Sequence, residues 1–322
     1  MFTIVKVAER LTHGRAKKIG DGFRIFVEQC RWLVLSNDPF EPRVELACVN
    51  ISTVIRVASC ALLVLAGSGA ASAFETPTVS ARLVVAGGLT DGAYRAALEL
   101  DLPAGWHTYW VNPGDAGIPP IFDVAKSANL KDFSVSYPAP VRYFDGTSTS
   151  MIYAGRLLLP IRAVPAWSGA PVDLSVRVLY GLCAEVCLPV ETDIAVRLEP
   201  DAVVDDASAE VLKVAQSHVP VRVDDDRMAI DETLFDPSTG KGKLTVSVAD
   251  DGRVADLFVT GPNRWFVAAP VPLGTAEGRR KFSVNLEGPS SAKTLAGLEL
   301  HFVLTEAERA VEIVRRLDDS HR

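Results

Sequence analysis

The sequence predicts a mainly β chain built as two tandem β-sandwiches. Three observations lead there. Alternating or β-branched runs recur at short spacing from residue 79 onward. Gly and Pro, 23 and 20 of the 322 residues, punctuate those runs and disfavour long helices. A polar, acidic break at 200–206 divides them into two series, each about 110–130 residues long, the ordinary size of one domain.

In the first series the expected strands are 79–86, 94–102, 133–137, 156–164, 172–180 and 190–198. Gly87-Gly88, Asn112-Pro113-Gly114, Asp145-Gly146 and Ser168-Gly169 supply the turns. Residues 207–218 place Val211, Leu212, Val214 and Ala215 at helical spacing, so a short bridging helix is expected after the 200–206 linker. The second series has expected strands at 244–248, 254–259, 265–268, 281–286, 298–304 and 311–315. Residues 306–317 contain good helix formers, yet a terminal hairpin is the expectation. Trp265 and Phe266 are assigned to the second core, and Asp224-Asp225-Asp226 to a solvated loop. The mature domains are therefore expected at 74–200 and 207–322.

The most apolar stretch, 54–66, carries one charge, Arg56, and runs into Ala71-Ser72-Ala73. A charged start, an apolar run of about 7–15 residues and small residues at the exit describe a secretory signal peptide. The run is shorter than the roughly 20 residues a membrane span needs. Residues 51–73 are thus expected to be an export signal cleaved after Ala73, which makes the protein periplasmic. Residues 1–50 show no clean periodicity and are expected to be an unstructured extension or a start placed too far upstream.

Of the 33 basic and 40 acidic residues, nine and six lie in 1–73, leaving 24 and 34 in the rest. That acidic balance argues against nucleic acid as a partner, because nucleic acid requires a basic footprint. It also argues against adsorption to an anionic membrane.

Cleavage after Ala73 would remove Cys30, Cys48 and Cys60 and leave only Cys183 and Cys187. A single pair this close is no disulfide scaffold. In one extended strand residues four apart lie about 13 Å from each other, whereas the Cα atoms of a disulfide usually lie roughly 4.4–6.8 Å apart. The chain must turn between them for a bond to form. Such a bridge closes a short loop and adds only about 2 kcal/mol by chain entropy, which favours reversible exchange over a structural bridge or a metal site. Along the chain no Lys, Arg or His lies beside the pair, while Glu185 and Glu191 do. Carboxylates disfavour a neighbouring thiolate, so ordinary or raised thiol pKa values and a relatively reducing couple are expected. A Cys-x-x-Cys thioredoxin signature is absent, and no cofactor or metal is called for.

The segment Tyr180-Gly181-Leu182-Cys183-Ala184-Glu185-Val186-Cys187-Leu188-Pro189-Val190-Glu191 resembles the cysteine motif of the periplasmic amino-terminal region of DsbD-type thiol:disulfide interchange proteins, most of all the ScsB-like branch. The segment from Gly105 to Pro120, with Trp106, His107, Tyr109, Trp110 and Asn112-Pro113-Gly114, is similar to that branch's other marker. The resemblance covers 75–200 well and 205–322 more weakly. It implies an immunoglobulin-like fold, a redox pair at Cys183 and Cys187, and a link to cytochrome c biogenesis. It implies disulfide-bearing or thioredoxin-like periplasmic partners. The family's membrane domain and carboxy-terminal thioredoxin domain are not in this sequence, so a stand-alone protein is expected to draw electrons from a separate membrane carrier of the DsbD/CcdA type.

Trp106, Tyr109 and Trp110 are expected either to fill the sandwich core or to cap the cysteines. Tyr180 and Glu185 are candidates for contact with the pair, and His107 is expected to face solvent or a hydrogen-bond partner. Two rival functions remain. Two thiolates can hold Cu(I), which would make a copper-tolerance protein, although past residue 73 only Met151 and Met228 could assist. A non-catalytic binding module, with a bridge that merely pins a loop, is the other.

Overall fold

The computed structural model describes residues 78–224, 227–250, 252, 254–306 and 309–318. The expected extension, the export signal and part of the Asp224–Asp226 loop lie outside the described residues.

The first sandwich uses β1 (Ser80–Val85), β2 (Tyr94–Asp101), β3 (His107–Gly114), β4 (Ile121–Asp123), β5 (Leu130–Val135), β6 (Val141–Phe144), β7 (Thr149–Ala154), β8 (Arg156–Pro165), β9 (Val172–Cys183) and β10 (Cys187–Leu198). One sheet has the order β1-β2-β8-β5; the other runs β10-β9-β3-β7-β6, with β4 on β9. Period-two alternation puts Leu98, Leu100, Leu159 and Ile161 of the first sheet against Val178, Tyr180 and Leu182 of the second. This immunoglobulin-like layering is the one expected.

Helix α1 (Asp206–Ser217) starts where the Asp205 carboxylate accepts from Ser208 N–H at 2.9 Å. It is more than a bridge. Ala215 is buried against Ala97 and Leu158, which point out of the first sheet. Nor is the 200–206 segment a free linker. Gly88 N–H donates to Ala202 O, Leu89 N–H to Pro200 O and Asp205 N–H to Ala86 O, at 2.7–3.0 Å.

The second sandwich follows with β11 (Val221–Arg222), β12 (Met228–Asp236), β13 (Lys241–Ala249), β14 (Val254–Thr260), β15 (Phe266–Val267), β16 (Val271–Ala276), β17 (Arg279–Glu287), β18 (Glu299–Glu306) and β19 (Ala310–Arg316). Its sheets are β11-β19-β18-β14 and β12-β13-β17-β15, with β16 on β17. Leu244, Val246, Leu257, Val259, Phe282, Val284, Leu300 and Phe302 form its core. The terminal hairpin β18–β19 takes the place a helix could have had. Trp265 packs on this core, but Phe266 is 48% exposed; its strand neighbour Val267 takes the inward position.

The sandwiches share apolar surface. Phe258 and Val303, paired across β14 and β18, point away from the second core and join the first, together with Ala269. The consecutive apolar residues Leu257-Phe258-Val259 are read by both cores at once, as in a strand buried on two faces.

Among the described residues, no helix is long and apolar enough to cross a membrane.

Candidate functional site

Strands β9 and β10 pair without a register break from Val172↔Leu198 to Cys183↔Cys187. The turn the cysteines require is therefore a hairpin end. Ala184, Glu185 and Val186 form the exposed tip, and Ala184 N–H donates to Val186 O at 3.1 Å. The cysteine Cα atoms stand 4.1 Å apart and the sulfurs are bonded. The two cysteines differ in exposure. Cys183 is 1% exposed, in a cluster with Tyr109 and Ile152, whereas Cys187 is exposed.

Strand alternation decides which predicted residues meet the disulfide. On β9 the inward set ends Val178, Tyr180, Leu182, so Tyr180 lies in the core on the opposite face from Cys183. On β3 the alternation sends Trp110 into the same core and leaves Tyr109 with Cys183. The Tyr109 hydroxyl is 3.4 Å from Cys187 Sγ. A disulfide sulfur has no hydrogen, so the phenol is the donor in this state. Trp106 is half-buried and packs on the first core. Glu185 stands exposed at the hairpin tip. Of the three aromatic candidates, Tyr109 reaches a sulfur and Trp110 lies in the core.

The Tyr109 ring is held from two sides. Gly117, at φ +127°, lies so close that a β-carbon there would enter the ring. Gly181 lies under it, where a β-carbon would meet Tyr109 and Ile118 at 3.0 Å. The 115–118 segment is tied down by Gly181 N–H donating to Ile118 O at 3.3 Å. These glycines give no functional signal as single letters; only the ring that needs their missing side chains reveals them.

His107 is not solvent-facing. It is 8% exposed, is the register partner of Cys183, and its ring lies 5.5 Å from Tyr109 and 5.1 Å from Tyr143. Burial holds its pKa below the usual imidazole value, so it is neutral near pH 7 and adds no cation beside the sulfurs. Burial, then the Asp145 carboxylate and Tyr143, push the Tyr109 phenol up, so it keeps its proton. The i, i+2 spacing of His107 and Tyr109 could have placed both rings on one strand face. No local signal foretold Tyr143, which comes from β6 and is 41% exposed.

The disulfide ties the hairpin at its turn end, with Cys187 exposed, Cys183 buried and a neutral phenol on the outer sulfur, so a partner thiol could reach it from one side. The model of the family described as Thiol:disulfide interchange protein DsbD, N-terminal, matches residues 77–199. Those residues are a DsbD amino-terminal-like domain. The DsbD-like domain thus includes both cysteines, Tyr109 and His107. The crystal structure of the N-terminal periplasmic domain of ScsB from Proteus mirabilis has a similar fold, with a TM-score of 0.53 at 20% identity. The likeness covers 74% of this chain and 92% of that one. That share is larger than the DsbD-like domain, so it extends into the second sandwich. No curated protein matches the chain.

Proposed function

We propose that this is a periplasmic thiol–disulfide exchange protein that relays reducing equivalents to partner disulfides through Cys183 and Cys187. The observation that carries the reading is the unequal exposure of the two cysteine residues. The DsbD-like match and the ScsB periplasmic domain support the compartment and the chemistry.

In the loading step, a thiolate of a thioredoxin-like dithiol attacks exposed Cys187 Sγ. The Cys183–Cys187 bond breaks, and Cys183 leaves as a thiolate and takes a proton. The partner's second thiolate then attacks its own sulfur in the mixed disulfide and releases Cys187 reduced. Two electrons have moved inward and the partner has become a disulfide. Delivery is the reverse with an acceptor disulfide: Cys187 thiolate attacks, and buried Cys183 resolves. The Tyr109 phenol supports the Cys187 thiolate in both directions, because a hydrogen bond to the charged form favours it. That works against the Glu185 carboxylate at the hairpin tip, while Glu191 is paired with Arg177 at 3.2 Å.

Thiol trapping in the periplasm tests this. Cys183→Ala leaves the exposed sulfur and is expected to accumulate mixed disulfides with thioredoxin-like or disulfide-bearing partners; Cys187→Ala is expected to trap few. Stoichiometric Cu(I) uptake with no trapped partner, or unaltered function of the doubly substituted protein, would overturn the proposal.

A further inference from the structure

The groups over the disulfide are tied, one residue further on, to the second sandwich. On β3, Tyr109 faces the sulfurs and Trp110 packs edge-on against Phe258, with ring centroids 6.1 Å apart. Three residues past Tyr109, Asn112 Nδ2 donates to Val259 O at 2.6 Å and to Val267 O at 3.0 Å. Asp115, which leads into the Gly117 segment against the Tyr109 ring, accepts from Ala269 N–H at 3.1 Å and from Thr149 N–H at 3.2 Å. On β6, Tyr143 faces His107 while its neighbour Arg142 turns the other way. Arg142 makes a two-pronged pair with Asp256 at 2.7 and 2.8 Å, donates to Leu257 O at 3.2 Å, and stands 5.7 Å over the Phe258 ring.

We infer that Arg142, Asn112 and Asp115 are positioning residues, and that through them the second sandwich splints Tyr109 over the disulfide and Tyr143 against His107. The inference rests on the exchange reading of the site and adds a role for the second sandwich that the chemistry at sulfur does not require. Adjacent strand residues point to opposite faces, so what fixes Trp110 and Arg142 also fixes Tyr109 and Tyr143. Both prongs of the Arg142–Asp256 pair are charge-assisted and mutually orienting, and the pair is largely shielded, with about a fifth of each side chain exposed. Asn112 bonds backbone carbonyls of two different segments of the second sandwich, so it senses their spacing rather than one side chain.

The test is the rate at which dithiothreitol reduces the Cys183–Cys187 bond in the whole protein, read at matched folded fraction. Arg142→Asp and Asp256→Arg are each expected to speed reduction about five- to tenfold, the low end of an ordinary coupling between sites. Combining the two, which restores opposite charges, is expected to bring the rate back toward the parent value. Asn112→Ser, a smaller change, is expected to raise the rate in the same direction and serves if the charge variants do not fold. Rates equal to the parent in the folded variants, or a rise that the combined swap leaves in place, would overturn the positioning role while the exchange reading stands. A bond that resists dithiothreitol in parent and variants alike would overturn both.

Discussion

The hydroxyl of Tyr109 reaches to 3.4 Å from the sulfur of Cys187 across 78 residues of sequence. It makes a donor available to the one sulfur that partners can reach. A hydrogen bond to a charged group is worth about 1.5–3 kcal/mol, and one pKa unit corresponds to about 1.4 kcal/mol. In the reduced protein, Tyr109→Phe is therefore expected to raise the Cys187 thiol by about one unit or more. The pH dependence of Cys187 alkylation, measured in a Cys183→Ala background, reads this directly. An unchanged profile would mean the phenol turns away once the bond opens.

Gly181 and Gly117 hold the same ring by lacking side chains. Gly181→Ala would put a β-carbon 3.0 Å from the Tyr109 ring and from Ile118, a tight fit that the neighbours must yield to. Overpacking of this kind costs about 1–3 kcal/mol. Gly117→Ala combines a positive φ with a direct clash on the ring. Both variants are expected to lose stability in urea titrations and to expose the disulfide to faster reduction, with Gly117→Ala the more severe.

Much of this site was legible in the letters, and the limits of legibility are physical. Two cysteines four apart between strand-like runs could bond only if the chain reversed there, and β9 and β10 do reverse there. Asn112-Pro113-Gly114 was misread because it has turn chemistry, yet it ends β3. The β3–β7 register shifts between Tyr109 and Gly114, so these residues bulge toward the second sandwich instead of reversing the chain. The expected runs lack β4 and β6, whose three or four residues show no period, and also the longer β3, β7 and β12. The 200–206 segment looked like a linker because it is polar; its backbone nonetheless bonds to residues 86–89. Contacts such as Arg142 with Asp256 have no signature in either local segment, since only the docking of two sheets brings them together.

That docking centres on Phe258, 2% exposed although it points out of its own sandwich. Removing a buried phenyl costs about 3–5 kcal/mol. Phe258→Ala is expected to lose that much and to separate the unfolding of the two sandwiches into distinct calorimetric transitions. Leu257 and Val259 remain in the second core, so the second sandwich itself should survive. A single transition at the parent temperature would show that the shared apolar surface does not couple them.

His107 sets a pH dependence whose sign follows from its burial. Its folded pKa lies below the usual value because the ring is desolvated between Tyr109, Tyr143 and the Cys183 strand. In the unfolded chain it titrates near its ordinary value of about 6.5. Below that pH the unfolded state binds more protons than the folded one, so stability falls as the pH drops. The contribution is complete above about pH 6.5 and is lost progressively down to the depressed folded value. The groups whose pKa is lowered by partners, such as Glu99 beside Arg156 and Arg82 and Glu306 beside Arg309 and Arg227, lose their contribution only at more acidic pH. Denaturation midpoints collected from about pH 7.5 to 5.5, a range bracketing the free imidazole value, should therefore decline in the parent protein. His107→Phe, which keeps a ring between the two tyrosines, is expected to flatten that decline. If the variant falls as steeply as the parent, the fold does not hold the imidazole below its free value, and a cation beside the buried sulfur at mildly acidic pH would then have to be reckoned in the chemistry of Cys183.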